Sequence, residues 1–474
     1  METGIAQELQ GLDLGDRRLN ARSVKVIEAL SKDPQASVNG AVEGWADTLG
    51  AYRLLDNQNV TPEKILAPHR RATTERMRAE SVVLIAQDTT ILNYSAHPPA
   101  DARCLNTTDQ FGFYHHAELA LTPDRVPLGV VGTRNFDRTA ESLEEDKNEK
   151  RRRRTHAPIE DKESIRWLEG YRNACQLSAE CPDTQVVSLA DSEADIYDIF
   201  MEAQQAAEEG STRADYVIRA HEDRSTPERN REVSRRTWHK VFDQIKASPL
   251  RTRHQIELHE TPVRTARLAT LEIRAMEVQV KPPNHRSNEP IITHNMVLVQ
   301  EVNGPDDGTD VMWMLMTTLP IDTVDDVLRV IDYYIVRWMI EVWFRMLKTG
   351  CRVEELQLNT RARLQNCLAF YNIIAWRVLH LTLQNRTVPN QPCTLFFADH
   401  EWKPLWCVTT KQPLPKKPPT LAKMMKLLTH LGGYNNRNTE RPPGPQPVWI
   451  GIRRMLDYAI AWQTFGPTTG KRYV

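Results

Sequence analysis

The amino-acid sequence predicts an α/β domain that carries an antiparallel β insertion and is flanked by helical N-terminal and C-terminal domains. Three observations predict this class: short β-branched runs between residues 82 and 221, alternating apolar segments between 252 and 318, and helical apolar spacing at both ends. A chain of 474 residues also exceeds what one hydrophobic core usually serves. We therefore expect helical residues 1–72, an α/β domain at 73–370 with its insertion at about 236–320, and helical residues 371–474.

The N-terminal 72 residues have the apolar spacing of short helices, with an apolar residue every third position from Val24 to Leu30. Arg17, Arg18 and Arg22 lie at the start of this helix. The helix dipole gives cations no stabilisation at that end, so these arginines need another partner. A DNA phosphate is one candidate, and an acidic protein surface is another.

Five short apolar runs predict the strands of the α/β core. Between the third and fourth runs lies a highly charged segment, residues 140–156, which is too polar to pack and is predicted to be an exposed loop. Three interpretations stay open for its basic part, from Lys150 to Arg154: a contact for DNA, an accidental similarity to a nuclear localisation signal, or no role. The runs are VVLIAQD, HHAELALT, VPLGVVGT, QVVSLAD and DYVIRAH.

The insertion and the C-terminal region differ in their periodicity. LEIRA alternates between apolar and polar residues, and MEVQV alternates in the opposite phase, which predicts antiparallel strands with a bulge. Helical spacing returns after Leu364, in three segments separated by proline-rich pieces. These segments are LQNCLAFYNIIAWRVLHLTL, LAKMMKLLTHLGGY and VWIGIRRMLDYAIAW.

Composition excludes several classes of protein. The 61 Lys and Arg residues are balanced by 62 Asp and Glu residues, so any DNA contact must come from local basic patches, such as the arginines near position 17 and those between His69 and Arg78. Each of these patches could equally be a solvent-exposed surface that contacts no DNA. The seven cysteines include no Cys-x-x-Cys pair, and we expect reduced structural thiols. No membrane span or secretory signal is evident, so we expect a cytoplasmic protein with no membrane partner.

Two predicted strands end in an aspartate, Asp88 and Asp191. Open α/β sheets bind ligands at strand ends, so the two carboxylates could share a site. A single aspartate in this position is more often a helix N-cap than a metal ligand. His115 and His116 are a weaker metal pair, and without a third spaced ligand we expect them to be structural.

Residues 327–348 predict one long, largely buried helix with a single charged stripe. At about 100° per residue, the polar side chains from Tyr334 to Lys348 project within about 80° of one another. A carboxylate among three cations is costly to bury unless a metal or an anion shares the space. The alternative is a solvent-facing stripe with a weak ion pair. The stripe comprises Tyr334, Arg337, Glu341, Arg345 and Lys348.

Asp88, Asp191 and Glu341 together fit a site for two divalent cations that catalyses phosphoryl transfer. Carboxylate oxygens are the ligands that Mg²⁺ prefers, and we expect Mn²⁺ to substitute for it. In this arrangement the basic stripe would hold the phosphates.

These residues resemble the signature of the IS-four group of bacterial insertion-sequence transposases. Tyr334, Arg337, Glu341 and Lys348 match its Tyr, Arg, Glu and Lys in order and spacing. Further segments that match in the expected order are Leu14-Gly-Asp16, Gly50-Ala-Tyr52-Arg53, Asp88-Thr-Thr, Lys162-Glu163-Ser164, Asp191-Ser-Glu-Ala-Asp195-Ile and Leu431-Gly-Gly433-Tyr434. The resemblance covers nearly the whole chain.

The resemblance implies an RNase H-like catalytic domain with a β insertion, between a DNA-end-binding domain and a dimerisation domain. It implies that Asp88, Asp191 and Glu341 hold the metal ions, and that the remaining signature residues, Tyr334, Arg337 and Lys348, contact phosphates near the cleaved end. Trp313 matches the tryptophan that stacks on a base flipped from the DNA end, although a strand tryptophan is by itself more often part of a core.

The function implied is cut-and-paste transposition by a homodimer on DNA. One strand is nicked, the free 3′ hydroxyl forms a hairpin with the other strand, and the reopened end joins target DNA. Two alternatives stay open: a regulator that binds the same ends without cutting, and a nuclease of the same fold that does not transfer strands. The acidic triad argues against the first, and the stripe with Trp313 argues against the second.

Overall fold

The computed structural model describes residues 4–138, 157–229, 238–258, 260, 264–305, 307–435 and 443–466. The whole of the predicted charged loop, residues 140–156, lies outside these residues, including its basic run from Lys150 to Arg154. A mixed sheet forms the centre of the described chain, with helices on both of its faces and at both ends of the sequence. The predicted α/β core with flanking helices is confirmed.

The N-terminal region is helical, as predicted. Asp16 and Thr61 accept hydrogen bonds from backbone N–H groups at the starts of the first and last long helices. Gly50 marks a close approach of two helices, because a Cβ atom there would fall on the guanidinium of Arg22. The helices are α1 (Arg17–Lys32), α2 (Val38–Ala41), α3 (Trp45–Leu55) and α4 (Pro62–Met77).

The basic residues between His69 and Arg78 do not form a free patch. His69 is fully buried, and Arg76 binds Glu8. Arg78 contacts Glu75 on the same helix. The possibility of a free basic patch is therefore not supported for most of this run, because its cations bind neighbouring groups of the protein.

All five predicted core strands are present. In the central sheet, β1, β5 and β6 are parallel, and β3 and β4 are antiparallel on the outer side of β1. The order across the sheet is β2-β3-β1-β5-β6-β12-β11-β10-β9, with β4 also paired to β3. The strands of this half are β1 (Val82–Asn93), β2 (Arg103–Cys104), β3 (Phe111–Leu121), β4 (Pro127–Phe136), β5 (Gln185–Ala190) and β6 (Asp215–Arg219).

The predicted β insertion extends this same sheet as an antiparallel half. A separate two-stranded hairpin, β7 (Ser225–Arg229) and β8 (Trp238–Lys240), precedes it. The strands of the extension are β9 (Leu250–Leu258), β10 (Arg267–Val280), β11 (Ile292–Val302) and β12 (Met312–Thr317).

The phase change within β10 has a different cause from the one predicted. The ladder with β11 is unbroken from Thr270 to Val280, and the irregularity lies against β9, between Ile273 and Arg274. Leu271 and Ile273 belong to one hydrophobic core, whereas Val278 and Val280 belong to the other. The alternation reverses because the strand is covered on one face along its first half and on the other face along its second half.

Helices cover both faces of the sheet. On one face lie α5 (Ile165–Glu180), α6 (Tyr197–Glu208) and α7 (Val241–Ala247). On the other lie α8 (Val324–Val336), α9 (Met339–Arg345) and α10 (Arg361–Thr387). Both faces of β1 and β5 are therefore buried, which agrees with their continuous apolar runs.

The C-terminal region continues from α10 as α11 (Asp399–Thr410), α12 (Leu421–Leu431) and α13 (Pro445–Phe465). Helix α11 was not predicted, because Pro404 in its middle indicates a break. The Gly-Gly stop after α12 is confirmed, with Gly433 at a φ of +88°. All seven cysteines are free. Among the residues described, no helix combines the length and apolar composition needed to cross a bilayer.

Candidate active site

Asp88 and Asp191 lie at the same level on adjacent parallel strands. Ala86 of β1 is in register with Leu189 of β5, and each aspartate stands two residues further along its strand. Residues at equal levels of a parallel pair project to the same face. Both carboxylates therefore face the side of the sheet that carries α8 and α9.

Only Asp191 is at a strand end. β1 continues for five residues past Asp88, because β3 keeps pairing with it as far as Asn93, while β5 stops at Ala190. The prediction that Asp88 ends its strand is wrong. The site lies instead where the parallel pairing of β1 and β5 ends, next to a strand that continues.

Glu341 comes from a helix that is interrupted, contrary to the prediction of one continuous helix over 327–348. Helix α8 ends at Val336, and residues 337–338 form a turn with N–H groups bonded to carbonyls three residues earlier. After α9, residues 346–350 form one π-helical turn. The helix is wound more tightly before Glu341 and more loosely after it. The side chains are therefore shifted from the single stripe that an ideal α-helix predicts.

Arg337 joins the first and third carboxylates. Its Nη1 donates to Asp88 Oδ2 at 3.0 Å, and its Nη2 donates to Glu341 Oε1 at 2.9 Å. Both partners are largely withdrawn from solvent, with Asp88 more so than Glu341. A single guanidinium therefore lies between two acids that come from distant parts of the sequence.

The electrostatics of Asp88 show that the three carboxylates are close enough to repel one another. Burial, together with the charges of Asp191 and Glu341, raises the pKa of Asp88 to about 6. Arg337 and the N–H of Thr89 act in the opposite direction but do not compensate. The site has an excess of negative charge that one arginine does not neutralise.

The donor set fits a hard divalent cation. Three carboxylates supply the oxygen ligands that such ions prefer, and their mutual repulsion is what a cation would relieve. Among the described residues, no three His, Cys, Asp or Glu side chains are already grouped tightly enough to hold a metal. Arg337 occupies the space between Asp88 and Glu341, so the observed arrangement is one in which a guanidinium serves as their counter-ion.

Aromatic side chains border the acidic cluster. Tyr334 is buried and lies edge-on to Trp313, with ring centroids 5.4 Å apart, and the guanidinium of Arg337 lies 5.8 Å from its ring. Burial raises the pKa of Tyr334. Trp313 is only half-buried, at the start of β12, so part of its ring stays accessible.

The remaining residues of the predicted stripe reach the surface. Arg345 is exposed and Lys348 is half-exposed, which leaves both able to contact a ligand. Trp338, which the sequence analysis did not single out, is 52% exposed in the turn beside Arg337. Its position could have indicated this, because Trp338 is a large aromatic residue directly after an arginine of the motif.

Arg17, Arg18 and Arg22 lie outside this cluster, on α1. Arg17 and Arg18 are exposed, whereas the head group of Arg22 lies against Gly50 of α3. The structure thus gives Arg22 a packing role and leaves its predicted DNA contact untested.

His115 and His116 are structural residues, as expected. Both are buried, and as successive residues of β3 they face opposite sides of the sheet, so they cannot bind one metal together. Burial lowers the pKa of His115 to about 4 and that of His116 well below its usual range. Both rings are therefore neutral at pH 7.

Comparisons with known protein families give matches at both ends of the chain. Residues 1–60 match the family described as transposase DNA-binding, and residues 373–462 match the transposase Tn5 dimerisation domain. Among solved structures, a cryo-EM structure of a piggyBac transposase synaptic complex with hairpin DNA is 10% identical, with 95% of this chain and 72% of that chain covered and a TM-score of 0.37. A likeness of that degree has no bearing on the assignment. The two family matches show that the N-terminal end of this chain is similar to a transposase DNA-binding domain and that its C-terminal end is similar to the Tn5 transposase dimerisation domain.

Proposed function

We propose that this protein is a transposase that cuts and rejoins DNA at an RNase H-like site in which Asp88, Asp191 and Glu341 hold two Mg²⁺ ions, with Mn²⁺ able to substitute. The observation that carries the proposal is that Asp88 and Glu341 bind the same arginine while the charge of Asp191 also acts on Asp88. The strand order β4-β3-β1-β5-β6, with three parallel strands beside an antiparallel pair, supports the RNase H-like assignment.

The substrate we propose is the terminal inverted repeat of a mobile element. The DNA-binding domain would hold that repeat, and two copies of the chain would pair through their dimerisation domains to bring two ends together. Arg17, Arg18 and Arg22 are our candidates for phosphate contacts in this domain.

When bound, the cations would activate the attacking oxygen and stabilise the leaving oxygen of the phosphodiester. The residues of this chain would prepare the site for them. Arg337 must exchange Asp88 and Glu341 for another anion, and a phosphate of the DNA end is an anion of the right geometry for a guanidinium. Binding of DNA would then free the two carboxylates for the metal ions. Without DNA, Arg337 would continue to occupy them and the site would stay inactive.

The side chains around the triad would control the cut end. Lys348 and Tyr334 would hold phosphates beside the scissile bond, and the accessible face of Trp313 would stack on a base displaced as the hairpin forms. We propose the sequence of nick, hairpin, reopening and joining on this basis.

The test uses purified full-length protein, Mg²⁺ and DNA that carries the inverted repeats flanking the gene. We expect nicked, hairpin and joined products in sequence, and none of them from the D191N variant. D183N is the matched control, because Asp183 is an exposed aspartate just before the same strand. Binding without cleavage by the wild type would support the regulator, and cleavage without hairpins or joining would support the nuclease.

A further inference from the structure

Arg166 is a buried cation in an unfavourable position. It lies in the first turn of α5 and is 8% exposed. The positive end of the helix dipole disfavours a cation there, and burial lowers the pKa of Arg166 below its usual range. A charge kept in such a place needs strong compensating contacts.

Three acceptors compensate it, each on a different nitrogen. Nη1 donates to the Glu163 carbonyl at 2.7 Å, Nε donates to Thr89 Oγ1 at 3.0 Å, and Nη2 donates to the Glu193 carboxylate. The ring of Phe136 lies 5.1 Å from the guanidinium. The planar group is thus fixed in orientation, which a lysine ammonium in the same place would not be.

Two of these acceptors are attached directly to the acidic triad. Thr89 follows Asp88 in β1, and its backbone N–H donates to Asp88 Oδ1 at 2.7 Å. Glu193 lies two residues after Asp191, and its backbone N–H donates to Asp191 Oδ1 at 2.9 Å. Arg166 therefore closes a chain of contacts that runs from one aspartate to the other.

The contacts approach Asp88 from both faces of the sheet. Asp88 faces α8 and α9, where Arg337 binds it, whereas Thr89 as the next strand residue faces α5. Arg166 Nε donates to Thr89 Oγ1, which is also hydrogen-bonded to Nδ1 of His116, 2.9 Å away. Thr89 is thus held by two side chains on the α5 face, and the strand at Asp88 is fixed on two sides.

We propose that Arg166 is a positioning residue that sets the separation of Asp88 and Asp191 through Thr89 and Glu193. The inference rests on the proposed function, because the separation matters only if the two carboxylates act together. Arg166 itself contacts neither aspartate and is not assigned a contact with DNA.

The variants that test this are R166K, R166Q and T89V, with R172Q as the matched control. Arg172 lies on the same helix and also binds a glutamate, Glu202, but in an exposed pair away from the triad. We expect R166Q to slow single-turnover cleavage of inverted-repeat DNA about 10- to 100-fold at saturating protein, since a displacement of about 1 Å can cost that much. R166K should restore only a small part of the cleavage rate that R166Q loses. The cleavage rate of T89V should lie between those of R166Q and the wild type.

Two further measurements do not depend on cleavage. In R166Q, backbone amides of residues 189–195 should exchange with deuterium faster, and Mn²⁺ binding by the protein alone, followed by electron paramagnetic resonance, should weaken about tenfold or more. Binding of metal-free protein to inverted-repeat DNA should stay within about twofold of wild type. R172Q should match wild type in every measurement.

Wild-type cleavage and Mn²⁺ affinity in R166Q would overturn the proposal. A loss of metal-free DNA affinity in R166Q would also overturn it, since Arg166 would then be a DNA contact. If wild-type protein binds Mn²⁺ but cuts no inverted-repeat DNA, the proposed function fails. The exchange and Mn²⁺ measurements still decide whether Arg166 positions the two aspartates.

Discussion

Two buried arginine–carboxylate clusters in this molecule have opposite electrostatics. In the active site, Arg337 lies between Asp88 and Glu341, and the pKa of Asp88 is raised to about 6. In the second cluster, Arg76 binds Glu8, and the pKa of Glu8 is lowered to about 2. The same pair of chemical groups thus gives pKa shifts of opposite sign: burial outweighs Arg337 at Asp88, where two further carboxylates add to it, whereas His69 and Arg76 together outweigh burial at Glu8.

The second cluster, which we call the interdomain cluster, consists of Glu8, His69, Arg76 and Trp376. Arg76 donates to both oxygens of Glu8, its Nε donates to the carbonyl of Leu128 at 2.6 Å, and its guanidinium lies 4.5 Å from the ring of Trp376. One cation meets one anion here, and the remaining hydrogen-bonding groups have partners. The cluster ties the N-terminal segment to α4, β4 and α10.

His69 completes the interdomain cluster as a neutral donor. The N–H of Val130 donates to its Nε2 at 3.0 Å, so the ring proton is on Nδ1 and is donated to Glu8 at 2.5 Å. Burial lowers the pKa of His69, which keeps the ring neutral. Burial also opposes the ionisation of Glu8, but His69 and Arg76 more than offset it.

In the candidate active site, by contrast, Asp88 and Glu341 share Arg337, and the nearby charge of Asp191 adds to the repulsion at Asp88. Natural sequences usually avoid such conflicts except where function requires them. A balanced buried pair is thus typical of a structural contact, whereas an unbalanced one is typical of a functional site.

The D88N substitution should have the largest effect and should separate stability from activity. Loss of one carboxylate removes a metal ligand, and we expect cleavage to fall at least about 1,000-fold, equivalent to about 4 kcal/mol. It also removes a repelled charge, so the melting midpoint of the metal-free protein should rise. Single-turnover cleavage and differential scanning fluorimetry measure the two effects. A fall in melting midpoint together with wild-type cleavage would contradict the comparison.

The E8Q substitution in the interdomain cluster should lower the melting midpoint, whereas D88N should raise it. It leaves Arg76 buried without its anion, which typically costs about 3 kcal/mol or more, so the melting midpoint should fall by several degrees. E75Q is the control, because Glu75 forms an exposed pair with Arg78 and should change stability by less than about 1 kcal/mol. An unchanged midpoint in E8Q would mean that the interdomain cluster does not stabilise the fold.

The stabilisation from Glu8 should also depend on pH in a defined window. Its pKa is about 2 in the folded protein and 4.5 as the ordinary value, so the stabilisation is fully present above about pH 5 and is lost as the pH falls toward 2. The difference in melting midpoint between wild type and E8Q should therefore be constant from pH 8 to 6 and should shrink from pH 5 to 3. A difference that grows below pH 5 would contradict this assignment.

Much of the fold follows from local pattern. The five core strands and the long helices have unbroken periodicity, and the structure contains them all. The interruption of the helix at residues 337–338 could not be predicted, because hydrophobic and helix-forming residues continue through it; the turn contains Arg337, which binds Asp88 and Glu341. Helix α11 was missed for the opposite reason, since Pro404 is a strong local signal that tertiary packing overrides.

The acids of the candidate active site could be selected from the sequence, whereas the residues that support them could not. Asp88 and Asp191 were selected by strand position and Glu341 by the resemblance of its motif, and the parallel register then brings the two aspartates to the same level. Thr89 and Glu193 have no signal of their own, because their roles depend on which side chain reaches them from α5. Arg166 could have been noticed in the sequence, because it is a cation in the first turn of a helix. The same feature drew attention to Arg17.

Arg17 and Arg18 extend the comparison to cations with no protein partner, and their effect should be the smallest. Both are exposed, and within the described parts of the chain neither has a carboxylate oxygen within 4.0 Å. If phosphates of the DNA end are their partners, R17Q/R18Q should weaken end binding about tenfold and lower the slope of log affinity against log salt by about 2. Fluorescence anisotropy across a KCl series measures both, and R78Q is the control, because Arg78 is already engaged by Glu75 and the Glu180 carbonyl. An unchanged slope would remove these arginines from the DNA surface and would favour an acidic protein partner, in which case a balanced pair would form only in the assembled complex.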